Sequence, residues 1–299
     1  MQSSSDFGAE AVSVYAKFDP SWMPLLPKPT TADDKYSRGV VGFVTGSSRY
    51  PGAALLGVTA ASRSGIGLIR LASDVVVTDL AIQARPELVL AGSEIDSNHV
   101  PRVGSWVLGS GVAQDAEAQR ERIHMVLKSA DVATGKTPVV LDAAAASREF
   151  LHTGQTSLLT PHAGEAARLL EEFGIQASRA EIEADPASFA QKLAHLSNST
   201  VILKGSRTVC ATPNEEVLWQ AQPAPASLAT AGTGDVLAGL LGAILSKSPG
   251  SVFDAACLSV WLHSQAAFEL DFSGHWSALD LAQQLAVTVS NAEDGRYVG

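Results

Sequence analysis

Short apolar runs recur along most of the chain, and the segments between them repeat their apolar positions at helical spacing. "GVVGFVT", from Gly39, is β-branched and aromatic without a polar face, which predicts a strand buried on both sides. "YPGAALLGVTAASRSG" predicts a small-residue helix closed by Gly65, and "GLIRLAS" predicts a second strand. The alternation continues through "PELVLAG", "SWVLGSG", a polar helix near 116–128, and "TPVVLDA". "SLLTPHAGEAARLLEEFG" passes from strand to helix with Gly174 as the stop, and a helix near 186–196 leads into the strand "TVILKGS". Strands separated by helices need crossover connections. The pattern therefore predicts an α/β fold of three layers, a mostly parallel central sheet with helices on both faces.

Other stretches break this rhythm. "RTVCATPNEEVLWQA" has strand character on both sides of "TPNEE" and predicts a β-hairpin on the sheet edge. Residues 1–38 carry Pro20, Pro24, Pro27 and Pro29 among polar residues, which suits an extended N-terminal arm better than a core element. That leaves residues 39–299 as one domain, helical over roughly its last 65 residues.

Composition narrows the function classes. Hydrophobic residues make up 46% of the 299 and charged residues 17%, enough for a large core and unlike a disordered chain. A net charge of −10 opposes the broad attraction to phosphate backbones that nucleic-acid binders use. Cys210 and Cys257 both lie in apolar segments and read as buried small hydrophobes, without a disulfide framework. No secretory pattern opens the chain and no segment approaches the roughly 20 apolar residues of a membrane span, so a soluble, cytoplasmic protein is expected.

The sharpest candidate chemistry lies in "LATAGTGDVLAGLLGAIL". The first backbone N–H groups of a helix lack intrahelical partners and carry the positive end of its dipole. The glycine-rich approach through Gly232, Thr233 and Gly234 lets an anion sit on those groups without a Cβ in the way. Asp235 follows in the first turn, placed to take a proton from a hydroxyl beside a phosphoryl group. A capped core helix that merely turns on its glycines accounts for the same residues. No Gly-Lys-Ser/Thr follows, so the stretch is not a Walker A loop.

Three further stretches fall at predicted strand ends, where open α/β sheets bind ligands. His162 and Glu165 stand three apart at a strand-to-helix junction, either as a polar pair facing a cleft or as a helix start whose carboxylate suits the dipole. Lys204, Gly205, Ser206, Arg207 and Thr208 close an apolar strand with donors suited to a nucleotide. "VTGSSRYPGAA" brings small residues, Ala53 among them, to a strand end without the dinucleotide fingerprint. A zinc site is not expected, because no second His or Cys cluster has ligand spacing.

In order and spacing, "KYSRGVVGFVTGSSRYPGAALLGVTAASRSGIGLIRLAS", "PELVLAG", "LTPHAGEAARL", "VILKGSRTV" and "LATAGTGDVLAGLLGAIL" resemble the ADP-dependent NAD(P)H-hydrate dehydratases of the ribokinase-like superfamily. "SALDLAQQL" near the C-terminus also fits. The resemblance implies repair chemistry: the S epimer of hydrated NADH or NADPH (NADHX or NADPHX) returns to the reduced nucleotide. The C6 hydroxyl is phosphorylated by ADP, or ATP in some members, and phosphate is then eliminated. It implies Asp235 as base, with Ala53, Gly111, His162 and Asp235 contacting the hydrate. It further implies that Lys204, Gly205, Ser206, Arg207, Thr208, Gly232, Thr233 and Gly234 hold the nucleotide, and that Glu165 organises Mg²⁺ through water. A homo-oligomer such as a tetramer is also implied. With 38 residues ahead of the dehydratase-like region, a separate epimerase is expected to handle the R form.

The chain departs from that pattern in places. Ala163 and Ala231 stand for a proline and a glycine, while Ala144 replaces a second aspartate after Asp142 and Ala113 replaces a loop glycine near Gly111. The last two bear on the substrate side of the cleft. Two rival readings share the fold: a small-molecule kinase, for example of a vitamin-precursor alcohol, and a nucleotide-binding relative without catalysis.

Overall fold

The computed structural model describes residues 12–14, 18–92, 94–96, 99–213, 218–221, 223–247 and 250–298. The chain runs through β1 (Val12–Val14) and a 3₁₀ turn at Pro20–Leu25. It then alternates through β2 (Val40–Val44), α1 (Pro51–Arg63), β3 (Leu68–Ala72), α2 (Val75–Ala84) and β4 (Val89–Leu90). After β5 (Ser105–Leu108) come α3 (Glu117–Lys128), α4 (Ala130–Ala133), β6 (Val139–Leu141) and β7 (Ser157–Leu159). The helices α5 (Ala163–Glu172), α6 (Arg179–Ala184) and α7 (Pro186–Ser197) precede β8 (Thr200–Leu203), β9 (Val209–Ala211) and β10 (Leu218–Gln220). Three long helices close the chain: α8 (Thr233–Lys247), α9 (Val252–Asp271) and α10 (Ala278–Glu293).

Among the described residues the strands form one open sheet in the order β1-β10-β9-β8-β7-β6-β5-β2-β3-β4. Only the β8–β9 and β9–β10 pairings are antiparallel, so the sheet is mostly parallel, as the alternation of elements predicts. Its strands alternate between two cores. Val41 and Phe43 of β2 face one cluster with α1, α8, α9 and α10, while Val44 faces the other with α3, α5 and α7. Both faces are covered, which is why the strands carry no polar side. The β9–β10 hairpin lies near one edge with β1 paired outside it, and its connecting residues 214–217 fall outside the described residues.

Composition misleads at two places. The proline-rich stretch packs on the core from Phe18 onward: Phe18, Trp22, Leu25 and Leu26 are buried, Phe18 meets Trp261 edge-on at 5.1 Å and Trp22 meets Trp219 at 6.0 Å. Prolines fix the turn, and the apolar residues between them find the sheet face without helical or strand periodicity. The run Val75–Val77 is made of residues that favour strands, yet it starts α2, where Val77 and Ala81 are buried and Val75 and Val76 are exposed. Burial of one helical face overrides β propensity there.

The helix that carries the candidate chemistry is set by a backbone contact. An ideal Cβ on Gly239 of α8 would lie 2.1 Å from the carbonyl oxygen of Gly57 in α1, so only glycine lets these two helices touch. The C-terminal turn of α8 lies at the start of β2 and β5, with the Ser246 carbonyl oxygen 2.9 Å from an ideal Cβ on either Gly39 or Gly104. Its N-terminus is therefore at the carboxyl ends of the strands. Cys210 and Cys257 are both buried and unbridged. Among the described residues no helix is long and apolar enough to cross a membrane.

Candidate active site

The strand order reverses its direction of growth between β5 and β2, and the loops leaving these strands are tied together there. The Gly46 N–H donates to the Ser110 carbonyl at 2.7 Å, and Ser47 Oγ donates to the Gly111 carbonyl at 2.7 Å. Gly111 has φ +65°, and a Cβ on it would lie 2.4 Å from Cβ of Ala53 in the first turn of α1. Ala53 and Gly111 are thus packed together where the loops leaving β2 and β5 meet.

The next residues follow β7 and β8. His162 is the N-cap of α5: its Nδ1 accepts from the N–H groups of Gly164 at 3.0 Å and Glu165 at 3.2 Å. Glu165 reciprocates by accepting the His162 N–H at 2.9 Å, a capping box that satisfies the orphan donors of the helix. The helix-start alternative for this pair therefore holds. With Nδ1 occupied as acceptor, a neutral His162 ring carries its proton on Nε2, and the side chain remains 57% exposed.

Lys204 directly follows β8, and its ammonium lies beside Asp142 and Glu165 and feels the charge of Asp235. Nζ is 3.1 Å from Asp142 Oδ1 and 4.0 Å from Glu165 Oε2, and a Cβ on Gly234 would sit 3.3 Å from it. Burial pulls the Lys204 pKa down, but the charge of Asp142, then Glu165 and the hydrogen bond that Lys204 donates to Asp142, leave it above the ordinary value. Gly205, Ser206 and Arg207 are exposed on the following loop, and Thr208 is buried behind it.

Gly232 has φ +94°, a left-handed conformation that suits glycine, and α8 begins at Thr233. Thr233 Oγ1 points back into the turn, donating to the carbonyls of Leu228 and Thr230 at 2.9 Å. His263 of α9 braces the same turn with a 2.9 Å bond to the Thr233 carbonyl; burial drives its pKa to about 4, so it is the neutral donor. Asp235 stands in the first turn of α8, partly buried. Burial raises its pKa to about 7, the charge of Asp142 adds to the rise, and Lys204 opposes it. The result is a carboxyl that changes protonation near neutrality in the first turn of a helix.

The structure brings Lys204, Gly234, Glu165 and Asp235 into one cluster and pairs Ala53 with Gly111 in another. It also reveals residues to which the sequence assigned no role. Asp142 closes the buried strand β6, and a carboxylate ending a "VVL" strand is the signal that marks it. Ser110 and Thr160 hydrogen-bond it, and nothing in their sequence context announces that.

Among the described residues no three His, Cys, Asp or Glu side chains are placed to hold a metal alone. The donor chemistry still fits Mg²⁺, which keeps most of its water and is bound through one or two carboxylates together with phosphate oxygens. Glu165, with its side chain 11% exposed at the cleft, is the carboxylate that suits this.

The sheet order and the placement of α8 define a ribokinase-like α/β fold. The pattern of the NAD(P)H-hydrate dehydratase family matches residues 41–290, and the chain belongs to that family. It is 32% identical to the ADP-dependent (S)-NAD(P)H-hydrate dehydratase of Neisseria meningitidis, over 83% of this chain and 82% of that one. It is 35% identical to the bifunctional NAD(P)H-hydrate repair enzyme of Mycobacterium leprae, over 81% of this chain but 48% of that protein. The chain therefore spans about half of the bifunctional relative. The structure of the ADP/ATP-dependent NAD(P)H-hydrate dehydratase from Bacillus subtilis, co-crystallised with ATP/Mg²⁺, superposes with TM-score 0.80 at 25% identity, covering 95% of this chain and 99% of that one.

Proposed function

We propose that this chain catalyses the ADP-dependent dehydration of the S epimer of hydrated NADH or NADPH. The observation that carries the reading is the cluster at the start of α8, where Asp235 stands in the first turn beside Lys204 and Glu165 with its pKa raised to about 7. A base matched to neutral pH takes a hydroxyl proton with the best compromise between charge state and driving force.

On this reading Asp235 removes the proton of the C6 hydroxyl as its oxygen attacks the terminal phosphorus of ADP. The bond from that phosphorus to the bridging oxygen breaks, releasing AMP. Phosphate then leaves with the C6–O electrons, helped by the ring nitrogen lone pair, and a proton is lost from C5 to restore the C5–C6 double bond. The backbone of Gly232, Thr233 and Gly234, with the Lys204 ammonium, stabilises the charge on the transferring group. Ala53, Gly111 and His162 line the hydrate side, and Gly205 to Thr208 hold the rest of the nucleotide. Mg²⁺, held near Glu165, supplies neutralisation of phosphate charge when bound. ATP is the alternative donor. The homo-oligomer remains an expectation from the family resemblance.

The test mixes purified protein with S-NADHX, Mg²⁺ and ADP, and follows the reduced-nicotinamide absorbance together with phosphate and AMP. Recovery of absorbance with stoichiometric phosphate and AMP supports the reading. A stable phosphorylated product without recovery would replace it with the kinase.

A further inference from the structure

We propose that Asp142 is a positioning residue that joins the two sides of the cleft, holding Lys204 on the nucleotide side and the Ser110 loop on the substrate side. The inference rests on the functional reading above.

Asp142 is 2% exposed, and both carboxylate oxygens are engaged. Oδ1 accepts from Thr160 Oγ1 at 2.6 Å and from Lys204 Nζ at 3.1 Å, while Oδ2 accepts from Ser110 Oγ at 2.8 Å. These donors leave β7, β8 and β5, so one side chain at the end of β6 ties three neighbouring strand ends. Ser110 in turn accepts the Gly46 N–H through its carbonyl and adjoins Gly111, the residue packed on Ala53.

The backbone around Asp142 is specialised for this aim. Ala143 holds φ +48°, an uncommon conformation for a residue with a Cβ, directly after it. A Cβ on Gly109 would lie 2.3 Å from the Asp142 carbonyl oxygen, so β5 can approach only through glycine.

A structural role alone does not call for a charge here. The Ser110 and Thr160 hydroxyls rotate and would be satisfied by a neutral amide oxygen. Only the ammonium needs the carboxylate, and a buried ion pair is seldom a better stabiliser than apolar residues of the same volume. With Asp142 neutral, Lys204 would be drawn toward Glu165, 4.0 Å away, or toward Asp235, and away from the transferring phosphoryl group. Asp142 would thus act through Lys204 and touch neither substrate.

Asp142→Asn tests this with kinetics and with MgADP calorimetry in the absence of hydrate. The expected result is about a 10-fold weaker MgADP Kd and about a 100-fold lower kcat, with a smaller change in KM for the hydrate. Asp142 also raises the Asp235 pKa directly, so the double variant is read at about pH 9, where Asp235 is ionised in every protein; there, because Asp142 acts through Lys204, adding Asp142→Asn to Lys204→Met is expected to change kcat less than about 2-fold. Multiplying effects in the double variant, or wild-type binding and kcat in the single one, would overturn the proposal. Should Asp142→Asn fail to fold, Thr160→Val and Ser110→Ala each remove one anchor. Thr160→Val is expected to weaken MgADP and Ser110→Ala to raise the hydrate KM; equal effects of both on both ligands would overturn it. The calorimetric arm needs no turnover, so failure of the dehydratase reading and failure of this one are told apart.

Discussion

Replacing Asp235 by Asn is expected to make the protein more stable and nearly inactive, with a gain that depends on pH. Burial and the Asp142 charge raise the carboxyl from 3.8 to about 7. Between those values the folded state holds a proton that the unfolded state has released, so folding loses stability as pH rises through the interval. Each pKa unit corresponds to about 1.4 kcal/mol. From pH 5 to the folded pKa near 7 is about two units, so wild-type should lose about 3 kcal/mol relative to the Asn variant between pH 5 and pH 8. Urea unfolding of both proteins at the two pH values measures this directly. The same variant should lose about 10²–10⁴-fold in turnover, the usual worth of a general base. A stability difference that is flat with pH would refute the electrostatic argument, and near-normal turnover would refute the base assignment. The wild-type rate should fall as pH drops below about 7, as Asp235 takes up its proton.

Gly239→Ala should cost about 3 kcal/mol or more, or prevent folding, because its Cβ would meet the Gly57 carbonyl backbone at 2.1 Å; chemical denaturation measures it. Gly232→Ala, at φ +94°, should cost about 1–2 kcal/mol and weaken MgADP, read by thermal unfolding and calorimetry. His162→Ala should lose about 1 kcal/mol of stability with the cap of α5, while His162→Asn keeps an acceptor and restores stability without restoring the hydrate KM. Equal losses from the two His162 variants would show that the ring serves no capping role.

Local chemistry made much of this protein legible before any fold was known. The strand and helix order follows from periodicity, since a strand buried on both faces has no polar side and an intervening helix must be long enough to cross back. The start of α8 is equally local: glycines, a threonine and a carboxylate within four residues mark a helix start, and the helix begins at Thr233. The helix start at His162 and Glu165, three positions apart, was legible for the same reason, while the histidine ring's part in capping it was not.

What the sequence could not express is anything that depends on distance through space. Phe18 and Trp22 look like parts of an arm until Trp261 and Trp219 are folded against them. Asp142 and Lys204 stand 62 positions apart and become a buried ion pair only because β6, β7 and β8 are consecutive in the sheet. The near-neutral pKa of Asp235 arises the same way, from desolvation and from a carboxylate on another strand end. Sequence alone determined the order of elements and the chemistry of each turn, because those rest on neighbours in the chain. Tertiary structure decided which charges meet and how strongly they shift one another, because Coulomb energy and loss of water depend on position in the fold.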